Sequence, residues 1–165
     1  TNPQSVYGRT KLEGEQAIKK SGCLYVIIRT AWLYSGYGHN FVKTISRLAS
    51  ERDELNVVSD QWGTPTYAGD LAEAIISIME RDDLPELEGV YHFTNEGACT
   101  WYDFAKEIVA ITGANCKVNP VTTEEYPSKV KRPAYSILDK TKIKETFDLE
   151  IRDWREALKS CMATF

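Results

Sequence analysis

The sequence predicts an α/β fold, and three observations carry that prediction. Helix-like and strand-like segments alternate along the chain, the run "LYVII" beginning at Leu24 is uniformly apolar, and Gly, Pro and capping residues mark the breaks between segments. A uniformly apolar strand is one buried on both faces, as in a parallel sheet covered by helices. At 165 residues the chain has the size of one domain.

In order, Tyr7 to Lys20 reads as an amphipathic helix with Leu12, Ala17 and Ile18 on its apolar face and Gly22 as its C-cap. "LYVIIRTAWLY" (24–34) reads as a strand and "SGYGHN" as a Gly-rich loop. Asn40 is an N-cap for the helix 41–54, and "LNVVSD" is a second strand. "QWGTPTYAGD" reads as a loop ending in Asp70, the expected cap of the helix 71–83. "GVYHFTN" is a third strand, and Thr100 and Gly113 bound the next helix. "CKVNPVTTEEYP" is irregular or extended, the stretch from Ser128 is a loop, and a short helix lies near Lys140. A last helix from Arg152 turns Trp154, Leu158 and Met162 inward.

A net charge of -4 gives no footprint for nucleic acid or an anionic membrane surface. The strongest apolar run is broken by Arg29, short of a membrane span. Cys23, Cys99, Cys116 and Cys161 lie far apart without a C-x-x-C, and His39 and His92 match no metal motif. These read as buried or half-buried free thiols in a reducing, cytoplasmic compartment, with no protein-held metal.

Tyr-x-x-x-Lys is the pattern with chemistry in it, and alone it is weak. Nine tyrosines and twelve lysines give about 0.65 such pairs by chance. The chain holds Tyr7/Lys11 and Tyr102/Lys106. Tyr102 lies in the first turn of a helix, beside a near capping box of Thr100 and Asp103, and reads as packing. Tyr7 opens a helix that runs straight into the apolar strand. Residues four apart share a helix face. A phenol of pKa about 10 becomes a competent acid or base near neutrality only where a cation favours phenolate. An ammonium four residues on supplies one, with donors to spare for ribose hydroxyls.

Taken together, "VYGRTKLEGE", "IIRTAWLYSGYGHNF", "VVSDQWGTPT", "GVYHFTNEGACTWYDFA" and "KRPAYSILDKTKI" resemble, in that order, the extended short-chain dehydrogenase/reductases. The likeness is strongest to the dTDP-4-dehydrorhamnose reductases, which reduce a nucleotide-linked 4-keto sugar with NADPH or NADH. "RTAWLY" and "DQWGTPT" favour that group over the wider family. The resemblance implies an NAD(P)-binding, Rossmann-like α/β fold with a smaller substrate-binding lobe. It divides the chain into 1–33 and 67–95 on the Rossmann side and 34–66 and 96–165 in the lobe.

By that resemblance Tyr7 protonates the sugar's C4 oxygen and Lys11 holds the nicotinamide ribose. Thr30 and Ala31 lie near the nicotinamide through their backbone. Trp32 packs on the substrate, where the residue alone reads as a core tryptophan. Asn40 contacts the nucleotide sugar, or is a plain N-cap. Gln61, Gly63 and Thr66 line the nucleotide side, or make an ordinary Gly-Pro turn. Arg132 meets a phosphate, or is a solvated loop residue. Some members of the family hold Mg2+ at a dimer contact; no carboxylate cluster in this sequence lets it be carried over.

The Gly-rich phosphate turn of such a family has no counterpart here, because no G-x-G-x-x-G occurs. Nor do the six residues before Tyr7 hold the strand that carries the family's catalytic Ser/Thr. The expectation is therefore the C-terminal part of a longer reductase, poorly active or inactive alone, whose other half supplies a strand partner for "LYVII". A homo-oligomer is left open. Competing readings are a nucleotide-sugar epimerase or dehydratase on the same fold, and a non-catalytic regulatory subunit.

Overall fold

The computed structural model describes residues 1–126 and 132–164. The loop expected from Ser128 to Lys131, and Phe165 of the last helix, lie outside the described residues.

Ser5 caps α1 (Val6–Lys20), its Oγ accepting from the Gly8 N–H at 3.0 Å. The helix ends at Lys20 as expected, but the C-cap is Ser21, and Gly22 (φ +75°) takes the left-handed position beyond it. No residue of α1 is fully buried: of the expected apolar face, Leu12 is half-buried, while Ala17 and Ile18 are exposed. The expected strand 24–34 is two strands, β1 (Val26–Arg29) and β2 (Leu33–Tyr34), because the backbone turns at Trp32, whose φ is +49°. β1 is half-buried rather than buried on both faces.

Asn40 caps α2 (Phe41–Glu51), its Oδ1 accepting from the Lys43 N–H. β3 (Glu54–Val58) alternates outward and inward residues. The stretch expected as a loop contains β4 (Trp62–Gly63) and β5 (Thr66–Tyr67), and α3 (Ala68–Met79) begins before Asp70. Asp70 is thus not the cap. It sits in the first turn of α3, where its carboxylate accepts from Arg152 and Asn95 instead.

A 3₁₀ turn at Leu84–Leu87 leads to β6 (Gly89–His92) and β7 (Cys99–Thr100). α4 (Trp101–Thr112) opens with a full capping box between Thr100 and Asp103 and stops at Gly113, φ +68°. The extended stretch is β8 (Lys117–Val121), followed by α5 (Thr141–Phe147) and α6 (Trp154–Met162). Trp154 and Leu158 are fully buried and Met162 is partly so.

The strands pair two by two. β1–β6, β2–β5 and β3–β8 are parallel, and β4–β7 is antiparallel. β6 is therefore the parallel partner of β1 on one edge, with Val26 opposite Gly89 and Arg29 opposite His92.

Two apolar cores result. The larger packs α2, β3, α4 and α6 around Phe104, Ile108, Trp154 and Leu158. The smaller packs Ala74 and Ile78 of α3 with Tyr91, Phe93, Ile143 and Phe147, and Val26 and Ile28 lean on it. The turn between β1 and β2 leads from one core to the other. Cys99, Cys116 and Cys161 are buried, whereas Cys23 is exposed, because it sits in the α1–β1 turn that no element covers. Among the described residues no helix is long and apolar enough to cross a membrane.

Candidate active site

Tyr7, Lys11 and Glu15 recur every four residues on one face of α1, and all three line an open cleft of about 610 Å³. The opposite wall is Ile27, Ile28, Arg29 and Thr30 at the end of β1, with Leu138 completing it. Tyr7 is 71% exposed and the Lys11 Nζ lies 5.6 Å from its ring centroid. The second pair is built alike, with the Lys106 Nζ 5.3 Å from the Tyr102 ring. Location separates the two: Tyr102 leans on the larger core, while Tyr7 stands at a cleft mouth opposite a strand end.

Glu15 and Arg29 form a bidentate ion pair, with Nε to Oε1 at 2.7 Å and Nη2 to Oε2 at 2.6 Å. The guanidinium holds the Glu15 carboxyl below its usual range, burial opposing it more weakly. Sequence reasoning missed this pair. The fourfold spacing from Tyr7 through Lys11 to Glu15 was its available signal.

Beyond β1 the chain turns at Thr30, Ala31 and Trp32. Thr66, fully buried, holds the turn from below: its Oγ1 donates to the Ala31 carbonyl at 2.6 Å and its N–H to the Trp32 carbonyl at 3.1 Å. The Thr30 hydroxyl in turn donates to Thr66 Oγ1 at 3.2 Å. The structure places Thr66 beneath the cleft surface, as a support rather than a lining residue. The Trp32 ring stacks on Trp101, centroids 3.5 Å apart and planes 13° apart. Gly63 lies under the same ring: a Cβ there would sit 2.5 Å from Trp32 Cε2 and 2.9 Å from Ser136 Oγ. Only a residue without a side chain fits that approach.

Trp101 also borders a second cleft, of about 580 Å³, which holds Gln61 and Arg132. Gln61 is buried and its amide donates to Thr123 Oγ1 at 3.0 Å. The Arg132 guanidinium carbon lies 5.8 Å from the Trp101 ring, and Phe41 packs on that ring at 4.6 Å. The segment after Arg132 is pinned to β4, with Trp62 N–H donating to the Ala134 carbonyl and Ser136 N–H to that of Trp62. Asn40 uses both ends of its amide locally, accepting from Lys43 N–H and donating to the Ser35 carbonyl, which is its plain capping role.

The structure thus sorts the expected residues into groups. Tyr7, Lys11 and Thr30 share the first cleft; Gln61 and Arg132 share the second; Trp32 is in the turn after β1, with its ring against Gly63. Ala31 and Thr66 hold that turn, and Asn40 stands apart. Trp32 lies two residues beyond Thr30 of the first cleft and stacks on Trp101 of the second.

The family model described as the RmlD substrate binding domain matches residues 1–165. The chain belongs to that family. A dTDP-4-dehydrorhamnose reductase of Aggregatibacter actinomycetemcomitans is 45% identical over 98% of this chain and 58% of its own length. Two solved dTDP-4-dehydrorhamnose reductases superpose with TM-scores of 0.90. The one from Clostridium acetobutylicum is 48% identical over 99% of this chain and 57% of its own. The one from Bacillus anthracis, a complex with NADP, is 40% identical over 99% and 56%. The RmlD-family chain therefore spans just over half the length of the relatives it matches. More distant solved structures, a UDP-N-acetylglucosamine 4-epimerase and a dTDP-glucose 4,6-dehydratase, are under 25% identical and share the fold alone. The extended short-chain dehydrogenase/reductase class expected from the sequence is the class observed.

Proposed function

We propose that this chain forms the tyrosine-helix and substrate-lobe part of a reductase acting on the C4 keto group of dTDP-4-dehydrorhamnose, to give dTDP-L-rhamnose. The observation that carries the proposal is the shared cleft of Tyr7, Lys11 and Thr30, one turn of chain from the Trp32 step. The likeness to reductases at up to 48% identity supports the same chemistry.

The donor set suits a nicotinamide cofactor. Tyr7 and Thr30 offer hydroxyls and Lys11 an ammonium, over an apolar floor of Ile27 and Ile28. A reduced nicotinamide, NADPH or NADH, bound there supplies the hydride that C4 receives. Tyr7 Oη donates its proton to the carbonyl oxygen as that oxygen gains charge, so the keto group becomes a hydroxyl with one hydride and one proton added. Lys11 stabilises the phenolate left behind and hydrogen-bonds the cofactor's ribose. Trp32 offers a flat apolar face to the sugar ring, and Arg132 an anion partner for the diphosphate. Gln61 lines the nucleotide side. The pyrophosphate-binding turn and the catalytic Ser/Thr belong to the remaining part of the full-length protein, the partner half of this chain. The three buried free thiols suit a reducing, cytoplasmic setting.

The test is to incubate the full-length protein with NADPH and dTDP-4-dehydrorhamnose and follow absorbance and product. The expected result is stoichiometric NADPH loss with dTDP-rhamnose formed, and Tyr7→Phe slower by about 10²–10⁴. An epimerase or dehydratase would change the sugar with no net NADPH consumption, and that outcome sinks the reductase reading.

A further inference from the structure

We propose that Trp101 is a positioning residue, which fixes the plane of the Trp32 ring and so sets how the dTDP-sugar lies between the two clefts. The inference rests on the reading above for the identity of the ligand; what it adds is a residue no sequence motif singled out.

Trp32 is held in an unusual state. Its φ of +49° is one that a bulky L-residue rarely adopts, and it is kept there by Thr66 bonding the carbonyls on either side of the turn. Backbone in such a region persists only where its surroundings over-determine it, and it clusters at functional sites. Here the surroundings also fix the side chain. Gly63 clears the space the ring fills, and Trp101 stacks on the ring almost in parallel.

A core tryptophan that served packing alone would need neither the turn nor the exposure. Trp32 stays only partly buried at the margin of the larger core, between Thr30 at the first cleft and Trp101 at the second. Trp101 is itself rigidly based. It is the first residue of α4, immediately after the N-cap Thr100 and within the Thr100–Asp103 capping box, and Phe41 packs against it. Arg132 lies over its ring. One side chain therefore touches both the aromatic step and the cation, and it couples the sugar end of the ligand to the diphosphate end.

The experiment uses the full-length protein. Dissociation constants for dTDP-rhamnose and for NADPH are measured by calorimetry, with KM and kcat for the ketosugar, in wild type, Trp101→Leu, Trp101→Phe and Gly63→Ala. Trp101→Leu is expected to weaken dTDP-sugar binding and raise KM about tenfold, the scale of a stacked aromatic pair. NADPH affinity should be unchanged, and Trp101→Phe should recover most of the loss. Gly63→Ala leaves Trp101 in place but displaces the Trp32 ring, so it should reproduce the effect, and it decides the matter if Trp101→Leu does not fold. Unchanged sugar affinity in these variants overturns the proposal, as does a parallel loss of NADPH binding, which would mean general collapse. A wild type that binds dTDP-rhamnose without reducing the ketosugar overturns the reductase reading alone, because the binding constants still test Trp101. A wild type that binds no dTDP-sugar overturns both.

Discussion

Arg29 grips Glu15 through two parallel hydrogen bonds, and with them the end of β1 is tied to the face of α1 that carries Tyr7 and Lys11. No residue of α1 is buried, so hydrophobic packing within this chain does little to set the helix's register. The planar guanidinium and carboxylate fix direction as well as distance. Tyr7 lies two turns along from Glu15 on the same face, and an error at the pair is carried to the phenol.

Arg29→Met should therefore lower unfolding free energy by about 1–2 kcal/mol. That is below the range for a fully buried pair, since the Arg29 side chain is about one-third exposed. Urea denaturation of the full-length protein measures it. The same variant should lose kcat/KM for the ketosugar while keeping its fold, since Tyr7 is displaced but not removed. A variant with wild-type kcat/KM would show that α1 is positioned by something else.

The pair also sets a pH dependence. Glu15 has its folded pKa held below the ordinary 4.5, chiefly by its hydrogen bond with Arg29. A carboxyl whose pKa falls on folding adds stability that is complete above the unfolded pKa. That stability is lost as the pH drops through the lowered, folded value. Stability should thus decline in acid below about pH 4.5, and Glu15→Gln should flatten part of the decline. Stability curves of the two proteins between neutral pH and acid compare directly. Identical slopes would mean that Glu15 is not linked to folding.

Thr66→Val tests the turn. The hydroxyl donates to the Ala31 carbonyl at 2.6 Å from a fully buried position, and valine leaves that carbonyl without this partner. The cost should be about 1–2 kcal/mol. Near-ultraviolet circular dichroism should change too, because the Trp32–Trp101 stack sits on the turn. Thr66→Ser should restore both.

Local signals in the sequence proved legible where the physics is local. Asn40, Thr100 with Asp103, and Gly113 name their helix ends because a cap is made by neighbours in the chain. Asp70 has the same chemistry but bonds Arg152 and Asn95, partners far along the chain that no window around it contains. β4, β5 and β7, two residues each, exist only by pairing and leave no pattern of their own. The break at Trp32 is likewise imposed from outside, by Thr66 and Gly63. At the site, the Tyr7/Lys11 spacing was readable as helix geometry. Trp101 was not: beside Phe104 it reads as packing, and its stack with Trp32 arises only when α4 meets the turn.

The thiols should divide by burial. Burial pushes Cys99 up to about 12 and Cys161 up to about 11, and Cys116 is buried as well. Only the thiolate reacts, so Cys99 and Cys161 should be inert in the folded state near pH 8, and burial alone should shield Cys116 from reagent. Cys23 is exposed and should react at once. Within this chain a thiol-disulfide titration should give one fast equivalent, which Cys23→Ser abolishes, and the remainder only in denaturant. Two or more fast equivalents would mean that a core opens readily.

The edge of β1 is where the chain's own structure asks for more. Among the described residues β1 pairs on one edge only, with β6. Beside it Leu24, Tyr25 and Val26 form a groove with Ile75 and Met79 of α3, and Leu24 and Met79 are more than 60% exposed. An open strand edge next to an apolar groove invites association. In the reductase reading a strand from the other half of the full-length protein pairs there. The 165-residue chain alone should then self-associate and exchange the Val26–Arg29 amides quickly. It should also reduce no ketosugar, having no Gly-rich phosphate turn. In the full-length protein the same amides should be protected. Turnover by the 165-residue chain alone would place the whole cofactor site within it, and the two-part reading would fail.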